Sequence, residues 1–96
     1  MAQDKVSKEK IFQRVTESVT SLLQMTHRDE QGLVEKLNSK TDIFDDLGID
    51  SIEVMDLLGM LEKEFETAFN VDKFGRRRTI GDVVEFITDQ LSEGNG

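Results

Sequence analysis

Asp45-Asp46-Leu47-Gly48-Ile49-Asp50-Ser51-Ile52-Glu53-Val54-Met55-Asp56-Leu57-Leu58-Gly59-Met60-Leu61-Glu62-Lys63-Glu64-Phe65 is the stretch on which the fold turns. Val54, Leu57, Leu58, Leu61 and Phe65 recur at spacings of three and four, which a helix gathers onto one apolar face. Asp50 is a good N-cap, and Glu53 three residues later completes a capping box, so the helix begins at Asp50 or Ser51 with Ser51 in its first turn. Ile52 and Met55 fall on a different stripe. Gly59 continues that stripe and costs up to about 1 kcal/mol relative to alanine inside a helix. A helix with apolar groups on two sides is either buried on both or exposes one to a partner. Just upstream, Gly48 supplies a tight turn, and Ile43 or Phe44, together with Leu47, pins the loop to the core.

Working outward toward the N-terminus, a polar connection runs from Thr26 to about Asp50, long enough to be functional or partly structured. Its short apolar patch, Leu33, Val34 and Leu37, has the makings of an extra helical turn. Before it, Ser7 is a candidate N-cap, and Ile11, Val15, Val19 (or Ser18) and Leu22 recur at helical spacing with Phe12 and Leu23 beside them, predicting a helix over residues 7–25. Toward the C-terminus, residues 68–75 hold a short helix with Phe69, Val71 and Phe74 facing in and Gly75 as terminator. Thr79 caps a last helix over 80–91, in which Ile80, Val83, Val84, Ile87 and Leu91 keep the helical period. Strand signals, internal repeats and proline are absent. The expectation is an all-α chain, a small bundle of three main helices plus one or two short ones. Its domain spans 7–91, between a flexible N-terminus (1–6) and a flexible C-terminus (92–96).

The chain has 96 residues, a single small domain, with 20 acids, 12 bases and a net charge of −8. From Asp42 to Glu66 there are nine acids and one base, Lys63; elsewhere eleven acids and eleven bases cancel, so one segment carries the whole excess. Such a run is usually a solvated face, but it also suits docking to basic partners. It excludes nucleic acid as the expected partner, because phosphate is repelled. Arg76, Arg77 and Arg78 form a short basic run that reads as a solubilising loop. No apolar run of about 18 residues suggests a membrane span and no N-terminal apolar stretch suggests a secretory signal, so cytoplasm is the default location. The chain has no cysteine, hence no thiolate nucleophile, disulfide or thiolate metal site, and its single His27 makes a Ser-His-Asp triad improbable. No nucleophile–base pair, glycine-rich phosphate loop or metal-ligand cluster is recognisable, so no catalytic residue and no metal is expected.

The run Asp45-Asp46-Leu47-Gly48 followed by Asp50-Ser51-Ile52, continued through Leu57, Leu61, Glu62, Glu64 and Phe65 and by the final helix, resembles the acyl carrier protein family over most of residues 7–91. That family carries an Asp-Ser-Leu motif after a (Glu/Asp)-Asp-Leu-Gly turn. The resemblance implies that Ser51 is esterified with 4′-phosphopantetheine by a transferase using coenzyme A, and that the arm's thiol holds an acyl group as a thioester. It implies that Asp50, Glu53, Asp56 and Glu62 face basic patches on the transferase and on acyl-processing enzymes, with Ile52 and Met55 as apolar contacts in the same footprint. The alternative for Met55 is a gap-filling core residue. Val54, Leu57, Leu58, Leu61, Phe65, Ile80 and Val84 line the core, which the resemblance implies can open to hold an acyl chain. The expected protein is a cytoplasmic monomer.

The sequence departs from the common fatty-acid pattern. Ile52 replaces the usual leucine, Gly59 stands where a bulky apolar residue usually touches the partner, and Lys63 interrupts an acidic run. Phe69-Asn70-Val71 replaces the usual Ile-Pro step, Arg76–Arg78 add positive charge, and the first loop is long. These departures point to a specialised carrier. Carriers of polyketide or aminoacyl intermediates share the fold and the serine and stand as the alternative, followed by an unmodified helical adaptor. A calcium loop is also suggested by the one-to-twelve spacing of Asp42 and Glu53, but it is rejected because Phe44 and Leu47 fall where an oxygen ligand and glycine are needed.

Overall fold

Helix α1 of the computed structural model, which describes residues 7–26 and 32–94, runs over Lys8–Met25. Ser7 caps it, its side chain accepting from the Lys10 N–H. A 3-10 turn follows at Leu33–Lys36, where the apolar patch suggested an extra turn. Helix α2 spans Ser51–Phe65, the short α3 Val71–Phe74, and α4 Ile80–Gly94. Among the described residues there is no strand, only an isolated bridge between Asp42 and Thr79. The all-α bundle of three main helices and short accessory turns is therefore the fold. The predicted flexible segment 1–6, His27 and residues 95–96 lie outside the described residues.

The three long helices share one core. Ile11, Val15, Val19, Leu22 and Leu23 of α1 meet Val54, Leu57, Leu58 and Leu61 of α2 and Ile80, Val83, Val84 and Ile87 of α4. Close backbone approaches join α1 to α4, α1 to α2, and α3 to α4, and are fewer between α2 and α4. Arg14 of α1 bridges Glu64 of α2 outside the core.

Four expectations need correction. Val71 was expected to face inward but is 45% exposed; α3 is a single turn capped by Asn70, and of the three expected residues Phe69 and Phe74 are the buried ones. Helix α4 continues to Gly94, three residues past its expected end at 91. Phe65 is only half-buried, because it is the last residue of α2 and lies at the rim of the core. The arginine run is not merely a solubilising loop. Arg77 lies 5.5 Å over the Phe86 ring, and Arg78 lies 5.2 Å over Phe44 while bridging Asp42 and Asp45.

Phe86 carries a part of the core that periodicity did not reveal. It is buried, with its ring edge-to-face against Phe69 and Phe74, centroids 5.7 Å apart in each case. The three rings fix α3 on α4 where the short helix has too few residues to bury a face of its own.

Candidate functional site

The site begins in the loop that delivers the chain to α2. Asp42 opens a tight turn there: its Oδ1 accepts from the N–H groups of Phe44 and Asp45, both at 2.8 Å, and its own N–H donates to Asp46 Oδ2 at 2.8 Å. Those bonds, with the Arg78 guanidinium donating to Oδ2 at 3.1 Å, favour the charged carboxylate. The Asp42 pKa is accordingly lowered, above all by the Asp45 N–H; desolvation opposes it as the next largest effect, and Phe44 and Arg78 add smaller lowering contributions. Gly48, at φ 70°, reverses the chain where a Cβ would be strained. Ile43, Leu47 and Ile49 are buried and pin the loop beneath α2, so Ile43 rather than the half-buried Phe44 is the main anchor.

The same loop is fastened to α4. Ile43 N–H donates to Arg78 O at 2.7 Å, Ile80 N–H to Thr41 O at 3.0 Å, and Gly81 N–H to Ser39 O at 2.8 Å. A Cβ on Gly81 would lie 2.9 Å from that Ser39 oxygen, so glycine is what permits the approach. Thr79 Oγ1 accepts from the Asp82 N–H at 3.0 Å and Asp82 Oδ2 from the Thr79 N–H at 3.3 Å, a reciprocal cap that holds the N-terminus of α4 in place.

On this platform α2 starts with the expected capping box. Asp50 Oδ1 accepts from the Glu53 N–H at 2.8 Å, and Glu53 Oε1 accepts from the Asp50 N–H at 3.1 Å. The cap uses the N–H groups of Asp50 and Glu53; those of Ser51 and Ile52 stand at the helix end beside the Ser51 hydroxyl. Ser51 is exposed as the first residue of α2. A negative group esterified to it would sit at the positive end of the helix dipole. The position thus fits a phosphodiester-linked arm: the hydroxyl is accessible, two unused N–H donors adjoin it, and no buried group has to move.

Around Ser51 the predicted residues separate into distinct roles. Ile52 and Met55 are 74% and 47% exposed, so Met55 is not a core gap-filler. Asp56 is exposed beside them. Glu62 is half-buried, and its Oε2 accepts from the Phe69 N–H at 2.9 Å, which ties the end of α2 to the segment before α3. Val54, Leu57, Leu58, Leu61, Ile80 and Val84 are buried, each at most 6% exposed. A surface groove of about 410 Å³ lies elsewhere, lined by Lys36, Leu37, Lys40, Thr41, Asp46 and Leu47. Among the described residues no group of three or more acidic or histidine side chains is arranged around a metal position. Instead the carboxylates of Asp42 and Glu53, the ends of the imagined calcium loop, are bound within the turn and the cap.

Comparison with known proteins agrees with this arrangement. The family model for the phosphopantetheine attachment site matches residues 13–87, which run from within α1 to the middle of α4 and include Ser51. The chain is 47% identical over 47 residues to an acyl carrier protein of Exiguobacterium sibiricum, a match covering 49% of this chain and 60% of that protein. It is 38% identical over 58 residues to one of Caulobacter vibrioides (60% of this chain, 74% of that protein) and 34% identical over 59 residues to one of Clostridium perfringens (62% and 78%). A small helical bundle, an accessible serine opening a capped helix and a family match over most of the chain lead to one conclusion: the chain belongs to the acyl carrier protein family, non-enzymatic carriers built around a phosphopantetheine attachment site.

Proposed function

We propose that Ser51 is the attachment point of 4′-phosphopantetheine, and that the chain presents acyl intermediates to fatty-acid or related biosynthetic enzymes. The observation that carries this is the placement of Ser51. Of the serines within the matched residues, Ser18 is buried, Ser21 lies within α1, Ser39 lies in the clamped loop, and Ser51 opens a long helix with its hydroxyl exposed. When bound, the arm supplies a terminal thiol that can carry an acyl group, a group the cysteine-free chain lacks. The chain's own task is to hold Ser51 at a fixed height above a rigid loop and to offer a recognisable face beside it. Asp50 and Glu53 fix the helix start, Ile52 and Met55 give the transferase and later enzymes apolar contact, and Asp56 and Glu62 give them charge. The carrier raises the effective concentration of its cargo at each partner's active site and lowers no barrier itself.

For the acyl chain we propose the seam between α2 and α4, lined by Val54, Leu57, Leu58, Leu61, Ile80 and Val84 with Phe65 at its rim. The support is that these residues belong to one buried apolar core while α2 and α4 have fewer close backbone approaches to each other than either has to α1, so an apolar tail entering between them separates no tightly packed backbones. The carrier unit is residues 7–91, working as a monomer in the cytoplasm. Its partners are a phosphopantetheinyl transferase and acyl-processing enzymes with basic docking patches.

Intact mass before and after incubation with coenzyme A, magnesium and a broad-specificity phosphopantetheinyl transferase tests the site, with Ser51→Ala alongside. The wild type is expected to gain one phosphopantetheine and Ser51→Ala none. No gain on the wild type, with the transferase active on a control carrier, overturns the proposal in favour of an unmodified adaptor.

A further inference from the structure

Arg78 reaches across the bundle at the end where Ser51 stands. Two backbone hydrogen bonds connect them: Ile49 N–H donates to Ile43 O at 3.0 Å, and Ile43 N–H donates to Arg78 O at 2.7 Å. The starts of α2 and α4 therefore lie at one end of the molecule, where the α2–α4 seam begins with Val54 on one helix and Ile80 and Val84 on the other. The backbone bonds to α4 come from Ser39, Thr41 and Ile43. Beyond Ile43 the Arg78 side chain takes over. Its Nη2 donates to Asp45 Oδ2 at 3.3 Å and its guanidinium lies 5.2 Å over the Phe44 ring, while Nε donates to Asp42 Oδ2 at 3.1 Å. The Phe44 ring is itself half-buried against the core. An arginine present for solubility alone would leave its guanidinium in water, whereas this one engages three residues of a segment more than thirty positions away.

Resting on the reading of the α2–α4 seam as the acyl site, we propose that Arg78 sets the chain length at which the cargo passes from solvent into the seam. The seam is full, its residues each at most 6% exposed, so a tail enters only as the starts of α2 and α4 move apart. In that movement residues 39–43 stay bonded to α4 and the remainder of the loop travels with α2, because Leu47 and Ile49 are buried beneath it. The Arg78 contacts to Asp45 and Phe44 span that division and break, and the one to Asp42 survives. An exposed ion pair and a cation–π contact together resist opening by about threefold to tenfold. Each CH₂ group that the seam takes out of water favours entry by about fourfold. The clasp therefore offsets roughly one to two CH₂ groups of cargo: shorter chains stay outside, within reach of partners, and longer ones go in.

The test is methyl NMR of the protein loaded from a series of saturated acyl-coenzyme A compounds, each one carbon longer than the last. The threshold is the shortest chain that shifts the Val54, Leu57, Ile80 and Val84 methyl signals from those of the arm without an acyl group. In Arg78→Gln it is expected to fall by roughly one to two carbons. Arg78→Lys, which keeps the charge without the planar fork, is expected to lie between Arg78→Gln and wild type. Arg14→Gln removes the ion pair that joins α1 to α2 and is expected to keep the wild-type threshold. Added sodium chloride is expected to shorten the threshold in wild type and to leave Arg78→Gln unchanged. A wild-type threshold in Arg78→Gln overturns the proposal. An equal fall in Arg14→Gln also overturns it, because general loosening then explains the effect. If Arg78→Gln does not fold, Arg78→Lys and salt on the wild type decide, and a threshold that moves in neither overturns the proposal. Seam methyls that respond to no chain length in any variant have a different signature, and overturn the reading of the seam together with this inference.

Discussion

Replacing Phe86 tests the aromatic cluster that seats α3. The ring is 2% exposed and sits edge-to-face against Phe69 and Phe74 at 5.7 Å, with the Arg77 guanidinium 5.5 Å above it. Truncation of a buried phenylalanine to alanine costs about 3–5 kcal/mol. Each edge-to-face pair accounts for about 0.5–1.5 kcal/mol beyond burial, and the exposed-site cation–π contact for about 0.5–1 kcal/mol. The Arg77 Nε is buried with no hydrogen-bond partner, and removing the ring also takes away its cation–π contact. A chain of 96 residues has a total stability of roughly 5–14 kcal/mol. Phe86→Ala is therefore expected to remove about a fifth of it or more, and Phe86→Leu, which keeps most of the apolar volume, about 1–2 kcal/mol. Urea unfolding followed by circular dichroism reads both. A double-mutant cycle of Phe86→Leu with Phe74→Leu isolates the ring pair, with an expected coupling of about 0.5–1.5 kcal/mol. A loss below about 1 kcal/mol in Phe86→Ala, or additive effects in the cycle, would refute the view that the three rings hold α3 in place.

Three further outcomes follow from the platform under Ser51. Asp50→Ala removes one half of the capping box and is expected to cost about 1 kcal/mol in urea unfolding, with hydrogen exchange rising first at Glu53 and Val54. The Asp42 pKa is lowered on folding, so its contribution is complete above the ordinary aspartate range, about 3.9, and is lost as pH falls through the lower folded value. Wild type should then lose more Tm between neutral and strongly acid pH than Asp42→Asn, which cannot titrate there; equal losses would count against the assignment. Gly81→Ala sets a Cβ 2.9 Å from the Ser39 carbonyl and is expected to cost about 1–3 kcal/mol, whereas the same change at the open Gly59 stabilises the protein. Thermal melts of the two variants side by side check the contrast.

Much of the attachment site is a local property of the chain. The capping box at Asp50 and Glu53, the turn at Gly48 and the outward stripe of Ile52 and Met55 all involve residues within a few positions of Ser51, so spacing alone reveals them. Glu62 was less legible. Its charge marks it for an acidic face, yet its carboxylate is half-buried and engaged with the Phe69 N–H, a contact seven residues distant that depends on how the chain leaves α2. The acyl-pocket residues were legible as core, because helical periodicity identifies what is buried. It does not say that α2 and α4 meet more loosely than either meets α1.

The sequence by itself determined the helices, their caps and the position of Ser51 at the start of one of them. These rest on hydrogen bonds and periodicities that span one or two helical turns. Only the tertiary structure decided what happens where distant segments meet. Phe86 lies beside the regular apolar row of α4 and becomes core only because Phe69 and Phe74 arrive against it. Val71 shares their short segment but is left outside, since a single helical turn cannot turn every apolar group inward. Arg78 reads as a surface charge until the loop carrying Asp42, Phe44 and Asp45 folds onto the start of α4 and surrounds it. In each case the deciding energy belongs to a contact between residues far apart in the chain, and the one-dimensional pattern of neighbours carries no record of it.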